Sequence, residues 1–144
     1  NLGQARSIPV NLGKNEKGIL FVYSSSPNID PGEELLQFPE DRLRFSMFTM
    51  DGKKLWDKKL GKGVLPGIWF TPVLAFDLDS DGKDEIYFLN NKSLAPFSMD
   101  FRRLESIDPL TGETIGSWKW PKNTFNDRLS LSYRFYLIAA YADA

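Results

Sequence analysis

Apolar residues gather in short runs along the chain: Ile19–Tyr23, Leu43–Met50, Val73–Phe76, Ile86–Leu89 and Tyr136–Tyr141. The runs are rich in β-branched and aromatic residues, the composition of strands. Turn material separates them, at Ser24–Asn28, Asp30-Pro31-Gly32, Asp51-Gly52, Asp81-Gly82 and Thr111-Gly112. Asp-Gly between apolar runs predicts a tight hairpin, because both residues tolerate the positive φ of such a turn. No stretch carries a sustained 3.6-residue period, and Glu33–Phe38 predicts one helical turn at most. The pattern predicts an all-β fold.

The features also repeat. Phe48-Thr49-Met50-Asp51-Gly52-Lys53-Lys54-Leu55-Trp56 reads as strand, turn and strand, and a similar hairpin starts at Ser106, turns at Thr111-Gly112 and ends at Trp118 and Trp120. Lys17–Val22 finds its counterpart in Asp84–Leu89, and Val73–Phe76 in Leu137–Ala140. Near-constant spacing with four short strands per unit is how a β-propeller blade appears in sequence. The expected architecture is an incomplete propeller of about two and a half four-stranded antiparallel blades: one over 4–60, a second over 67–121, and the first strand of a third over 131–144. Closing a ring takes roughly four blades or more, so the remaining blades are expected from the same longer chain or from other chains. The plainer alternative is a β-sandwich.

Composition removes several kinds of chemistry. The 144 residues contain no cysteine and no histidine, which excludes disulfides, thiolate metal sites, a Ser-His-Asp triad and imidazole bases from this stretch. Eighteen basic against nineteen acidic residues leave a net charge of −1, without the basic excess of a nucleic-acid binder. No apolar run approaches the ~20 residues of a membrane-crossing helix.

The most specific motif is Asp77-Leu78-Asp79-Ser80-Asp81-Gly82-Lys83-Asp84-Glu85. Alternate residues Asp77, Asp79 and Asp81 place hard oxygens on one side. Gly82 permits a sharp turn that brings the Lys83 carbonyl inward, and Glu85 closes the site. Calcium takes 6–8 oxygens, and this loop with one or two waters supplies them. Without a cation, the acidic groups repel one another; a solvated acidic turn is the plainer reading. An EF-hand is excluded, since Phe88 stands where its twelfth-position glutamate belongs and the flanks read as strands. The loop resembles the FG-GAP calcium loops of β-propellers such as the integrin α-subunit head, and the expected role of Ca2+ is structural. In the first repeat Asn11, Gly13 and Asn15 take the comparable places, with Val10 at the place of Asp77, so no ion is expected there.

A wider resemblance covers residues 48–89. Asp51-Gly52-Lys53-Lys54-Leu55-Trp56, Leu60-Gly61, Gly67-Ile68-Trp69-Phe70-Thr71 and the acidic loop follow in the order found in bacterial β-propeller polysaccharide lyases of the rhamnogalacturonan lyase type, and ulvan lyases are similar in plan. The resemblance implies β-elimination on an acidic, uronate-containing polysaccharide by a secreted or periplasmic protein. Such lyases use a tyrosine or histidine for proton transfer and an arginine or metal to neutralise the carboxylate. With histidine absent, Tyr133 and Arg134 are the adjacent pair of suitable types. Arg102 and Arg103 are candidates to meet a uronate carboxylate, Trp69, Trp118 and Trp120 to stack on sugar rings, and Asn90 with Asn91 to bind hydroxyls. Each has a plainer reading: a strand aromatic, a solvated cation or a turn amide. The competing functions are a non-catalytic propeller that binds carbohydrate or protein and, more remotely, a quinone-dependent dehydrogenase suggested by Asp108–Glu113 before Trp118.

Overall fold

The computed structural model describes residues 3–26, 40–94, 101–122 and 134–141. They contain eight strands: β1 (Gln4–Gly13), β2 (Glu16–Ser24), β3 (Arg44–Thr49), β4 (Lys54–Lys59), β5 (Val73–Phe76), β6 (Glu85–Asn91), β7 (Arg102–Ile107) and β8 (Thr114–Lys119). These form two antiparallel meanders, sheet A in the order β1-β2-β3-β4 and sheet B in the order β5-β6-β7-β8. No helix occurs among the described residues, and Glu33–Phe38 lies outside them. The Asp51-Gly52 hairpin forms as expected: Gly52 sits at φ 88°, and Thr49 and Lys53 close the turn with a backbone hydrogen bond of 2.9 Å.

Alternation along the strands decides which side chains meet. In sheet A, Val10, Leu12, Leu20, Val22, Phe45 and Met47 are buried and face sheet B, which answers with Ile86, Phe88 and Ile107. Phe45 and Phe88 meet edge to face, with ring centroids 5.1 Å apart. Each such side chain stabilises the fold by roughly 1.5–3 kcal/mol through burial. The neighbouring positions of β2, Phe21 and Tyr23, lie on the opposite face of sheet A, where Phe21 is 39% exposed and stacks edge-on against Phe48.

The two sheets stack in one direction. Gly18 opposes Val10 and Glu85 opposes Phe76. With Gly18 matched to Glu85, Leu20 and Val22 correspond to Tyr87 and Leu89, and Phe21 corresponds to Phe88. Sheet A therefore buries its Leu20–Val22 face on the face of sheet B equivalent to its own Phe21 face, a head-to-tail contact rather than a self-complementary one. The opposite face of sheet B carries Leu89, which packs with Leu65, Phe70 and Phe135. The same register matches Val10 to Phe76 and puts Asn11, not Val10, in the place of Asp77, a shift of one residue from the sequence alignment.

The first strands of the sheets run side by side in the same direction. The start of β1 reaches the residues before β5 through an Arg6 hydrogen bond to the Thr71 carbonyl, and its end meets those after β5, where Asp84 donates its N–H to the Asn11 carbonyl at 2.9 Å. Residues 134–141 continue this arrangement on the other side of β5: Phe135 donates its N–H to the Trp69 carbonyl at 2.9 Å, and Tyr141 stacks on Phe76 with centroids 5.0 Å apart. The segment Tyr136–Tyr141, expected as a strand, joins no ladder among the described residues. Its contacts to β5 are mainly through side chains, and a strand is defined by backbone pairing with a neighbour.

Candidate functional site

Two sites lie at opposite ends of β5. After it comes the acidic loop; before it comes the crossover from β4, residues 60–72.

The acidic loop curls around its own carboxylates. Asp81 donates its N–H to Asp77 Oδ1 at 3.0 Å and to Asp79 Oδ1 at 3.2 Å, Gly82 to Asp77 Oδ2 at 2.9 Å, and Lys83 to Asp81 Oδ1 at 2.8 Å. Such a tight curl requires left-handed backbone at Ser80 (φ 62°) and Gly82 (φ 88°). As a result, Asp77, Asp79 and Asp81 each bring a carboxylate oxygen within 4.8 Å of the other two. At that separation like charges repel by about 1 kcal/mol per pair in water-like surroundings. Three convergent hard oxygens suit a calcium-sized cation.

Glu85 stands apart from this trio. It is buried, and its Oε2 accepts from the Leu78 N–H at 3.3 Å and the Tyr87 hydroxyl at 3.1 Å. Burial pushes its carboxyl above the usual range, and the charges of Asp79 and Asp81 add to this. The Lys83 side chain turns away to Asp108, forming a 2.9 Å ion pair with the β7–β8 turn.

The loop is clamped from three directions. Asn11 of β1 donates its backbone N–H to Asp84 Oδ2 at 2.7 Å and its side-chain amide to the Gly82 carbonyl at 3.2 Å. Asp108 holds it from the β7–β8 turn, and the Tyr141 hydroxyl donates to the Asp77 carbonyl. That turn is itself docked on sheet A, where Trp56 Nε1 donates to the Pro109 carbonyl at 2.8 Å and Lys58 Nζ to the Gly112 carbonyl at 2.7 Å. Gly112 is at φ 74°, and a Cβ there would lie 2.7 Å from the Trp56 ring.

The crossover end gathers aromatic and basic groups. Trp69 and Tyr136 meet edge to face at 5.3 Å, with Tyr136 65% exposed. The Arg134 guanidinium lies over the Trp69 ring, 5.9 Å from its centroid, within the ~6 Å reach of a cation–π contact. Trp69 and Arg134, 65 positions apart in sequence, are thus neighbours. Tyr133 lies outside the described residues.

The other candidates have structural partners. Arg102 is buried and stacks 4.7 Å over the Phe135 ring. Arg103 donates through Nε to Ser117 Oγ at 2.7 Å. Asn90 donates its amide to Glu105 Oε2 at 2.7 Å, and the buried Glu105 also pairs with Lys92 at 2.9 Å. Trp118 is exposed, and Trp120 packs edge-on against Phe135. Sequence reading gave no site role to Arg6, Asn11, Tyr136 and Tyr141, all of which act on residues more than sixty positions away.

The described fold is similar to segments of two solved rhamnogalacturonan lyases. One match is the rhamnogalacturonan lyase PL11 of Bacillus licheniformis, with a TM-score of 0.68 and 20% identity over 87% of this chain and 24% of that protein. Another is the exotype rhamnogalacturonan lyase YesX, with a TM-score of 0.69 and 19% identity over 86% of this chain and 23% of that one. In sequence, 39 residues are 44% identical to the rhamnogalacturonan endolyase YesW of Bacillus subtilis strain 168, covering 27% of this chain and 6% of that protein. The chain thus spans about a quarter of the solved structures it matches. No family model matches the chain.

Proposed function

We propose that the chain is part of a secreted or periplasmic bacterial polysaccharide lyase, built as a calcium-containing β-propeller, that cleaves an acidic polysaccharide of the rhamnogalacturonan class by β-elimination. The observation carrying this reading is the likeness, in both fold and a 44%-identical stretch, to three proteins named as rhamnogalacturonan lyases. Ulvan, another uronate polymer, is the second substrate candidate.

Head-to-tail stacking of sheets A and B supports the propeller, because such contacts repeat around an axis when the rotation closes. It leaves the Phe21 face of sheet A, with a depression of about 280 Å³ lined by Ala5, Phe21, Tyr23, Ser46 and Phe48, to be covered by another blade.

In the elimination, a base takes the C5 proton of a uronate, the C4–O bond breaks, a C4–C5 double bond forms, and the leaving oxygen is protonated. Tyr133 is the proposed proton-transfer group, and Arg134 the cation that stabilises the negative charge developing on the carboxylate. The cluster of Arg134, Trp69 and Tyr136 supports a sugar-binding role for the crossover end. Asn90, Arg102 and Arg103 are the further proposed substrate-binding residues, held by the partners described above. Asp77, Asp79 and Asp81 would hold Ca2+ through side chains and Lys83 through its carbonyl, with Glu85 swinging from Leu78 and Tyr87 to complete the set. The ion would act on architecture, since the loop lies at the far end of β5 from the aromatic cluster.

Incubating the full-length protein with rhamnogalacturonan and with ulvan tests the activity. Accumulation of unsaturated uronate, followed by its ultraviolet absorbance, is expected. Retention on these polymers in affinity electrophoresis with no such product would instead establish the alternative, a non-catalytic carbohydrate-binding propeller.

A further inference from the structure

The crossover borders a cavity of about 220 Å³ whose walls are Ala5, Arg6, Val22, Leu43, Gly67 and Ile68. Most of this lining is apolar, and Arg6 is its charged member. That is the make-up of a small-molecule site, in which apolar walls hold the ligand and a few polar groups orient it. The volume falls below the roughly 300–1,000 Å³ of pockets for drug-sized ligands and suits one sugar residue.

Arg6 is incompletely served by the fold. One of its guanidinium donors goes to the Thr71 carbonyl. Its Nε–H is enclosed and has no acceptor among the described residues. None of the ion pairs among the described residues includes it. Burial alone brings its pKa down to about 10. A cation withdrawn from water is normally compensated by a counter-charge, and here the cavity is the side from which one can come. Five N–H donors in a planar fork match a carboxylate, and one is committed to Thr71.

We propose that this cavity is a uronate subsite in which Arg6 pairs with the sugar carboxylate while Ile68, 56% exposed, contacts the apolar face of the ring. This rests on the acidic-polysaccharide reading above and adds to it a specificity-determining residue. Arg6 and Arg134 then flank the same crossover, Arg6 beside Gly67, Ile68 and Thr71 and Arg134 beside Trp69, which suits a polymer carrying acidic residues at intervals.

The test is calorimetric titration of the full-length protein with rhamnogalacturonan oligosaccharides and with the same oligosaccharides after carboxyl reduction. Wild type is expected to bind the acidic form at least tenfold more tightly. Arg6→Gln should lose most of that preference, and Arg6→Lys should keep part of it. Ile68→Ala, which removes the exposed apolar wall but retains the arginine, should weaken both forms. If Arg6→Gln keeps the full preference, the subsite is wrong while the carbohydrate reading stands. If Arg6→Gln fails to fold, Ile68→Ala decides, and unchanged affinity there overturns the subsite. Wild-type protein that binds neither form removes the carbohydrate reading and the subsite with it.

Discussion

The two ends of β5 are built on different principles. At the acidic-loop end, the donors belong to one hairpin: Asp77, Asp79 and Asp81 lie within five residues, and their orientation is fixed by hydrogen bonds to the N–H groups of Asp81, Gly82 and Lys83. At the crossover end, Arg6, Trp69, Arg134 and Tyr136 come from three distant segments held by packing. A local turn can be preserved or lost as a unit, whereas an assembled cluster depends on the sheets keeping their relative position. Ion binding and sugar binding should therefore respond differently to the same perturbations.

The heaviest blow to both ends together is Phe88→Ala. It removes the buried ring that meets Phe45 between the sheets, and a loss of about 3–5 kcal/mol is expected in chemical denaturation. Should the crossover end keep its oligosaccharide affinity in this variant under native conditions, the dependence of that cluster on sheet packing is refuted.

Chelation separates the ends. With calcium 100-fold above its Kd, one site contributes about 2.7 kcal/mol, so the melting temperature should fall by several degrees when EDTA replaces calcium. Asp79→Ala should abolish that difference. An Arg6→Gln protein should retain it in full, because Arg6 lies at the other end of β1.

Asn11→Ala sharpens the picture of the clamp. Loss of the side-chain hydrogen bond to the Gly82 carbonyl is expected to cost about 1 kcal/mol and to weaken calcium binding measured by titration. Trp69→Ala should leave thermal stability nearly unchanged while lowering oligosaccharide affinity roughly tenfold, or about 1.4 kcal/mol.

The smallest effect is electrostatic. Asp41, near the crossover end of sheet A, is held below the usual carboxylate range, chiefly by the Arg44 side chain, with further hydrogen bonds from Ser25. A depressed carboxyl stabilises the fold above its unfolded pKa of about 3.9, and this contribution disappears as pH falls through the lower folded value. Asp41→Asn should therefore be slightly less stable than wild type at neutral pH, with the gap in melting temperature closing on acidification.

Strands β2, β3, β5 and β6, the Asp51-Gly52 hairpin and the convergence of three aspartates were legible in the sequence because each depends on neighbours within a few residues: alternation, turn chemistry and i, i+2 spacing. The apolar pattern of Tyr136–Tyr141 misled for the opposite reason, since pairing depends on a partner backbone that the pattern does not encode. Glu85, at the ninth position of the loop, is buried and accepts from Leu78 and Tyr87 in the structure. Only the tertiary structure decided that Arg102 lies buried under Phe135, that Trp69 meets Arg134, and that Arg6 ends at a cavity wall and joins none of the ion pairs among the described residues. These contacts join residues from consecutive repeats, and a sequence records the order of repeats without recording which of their two faces touch.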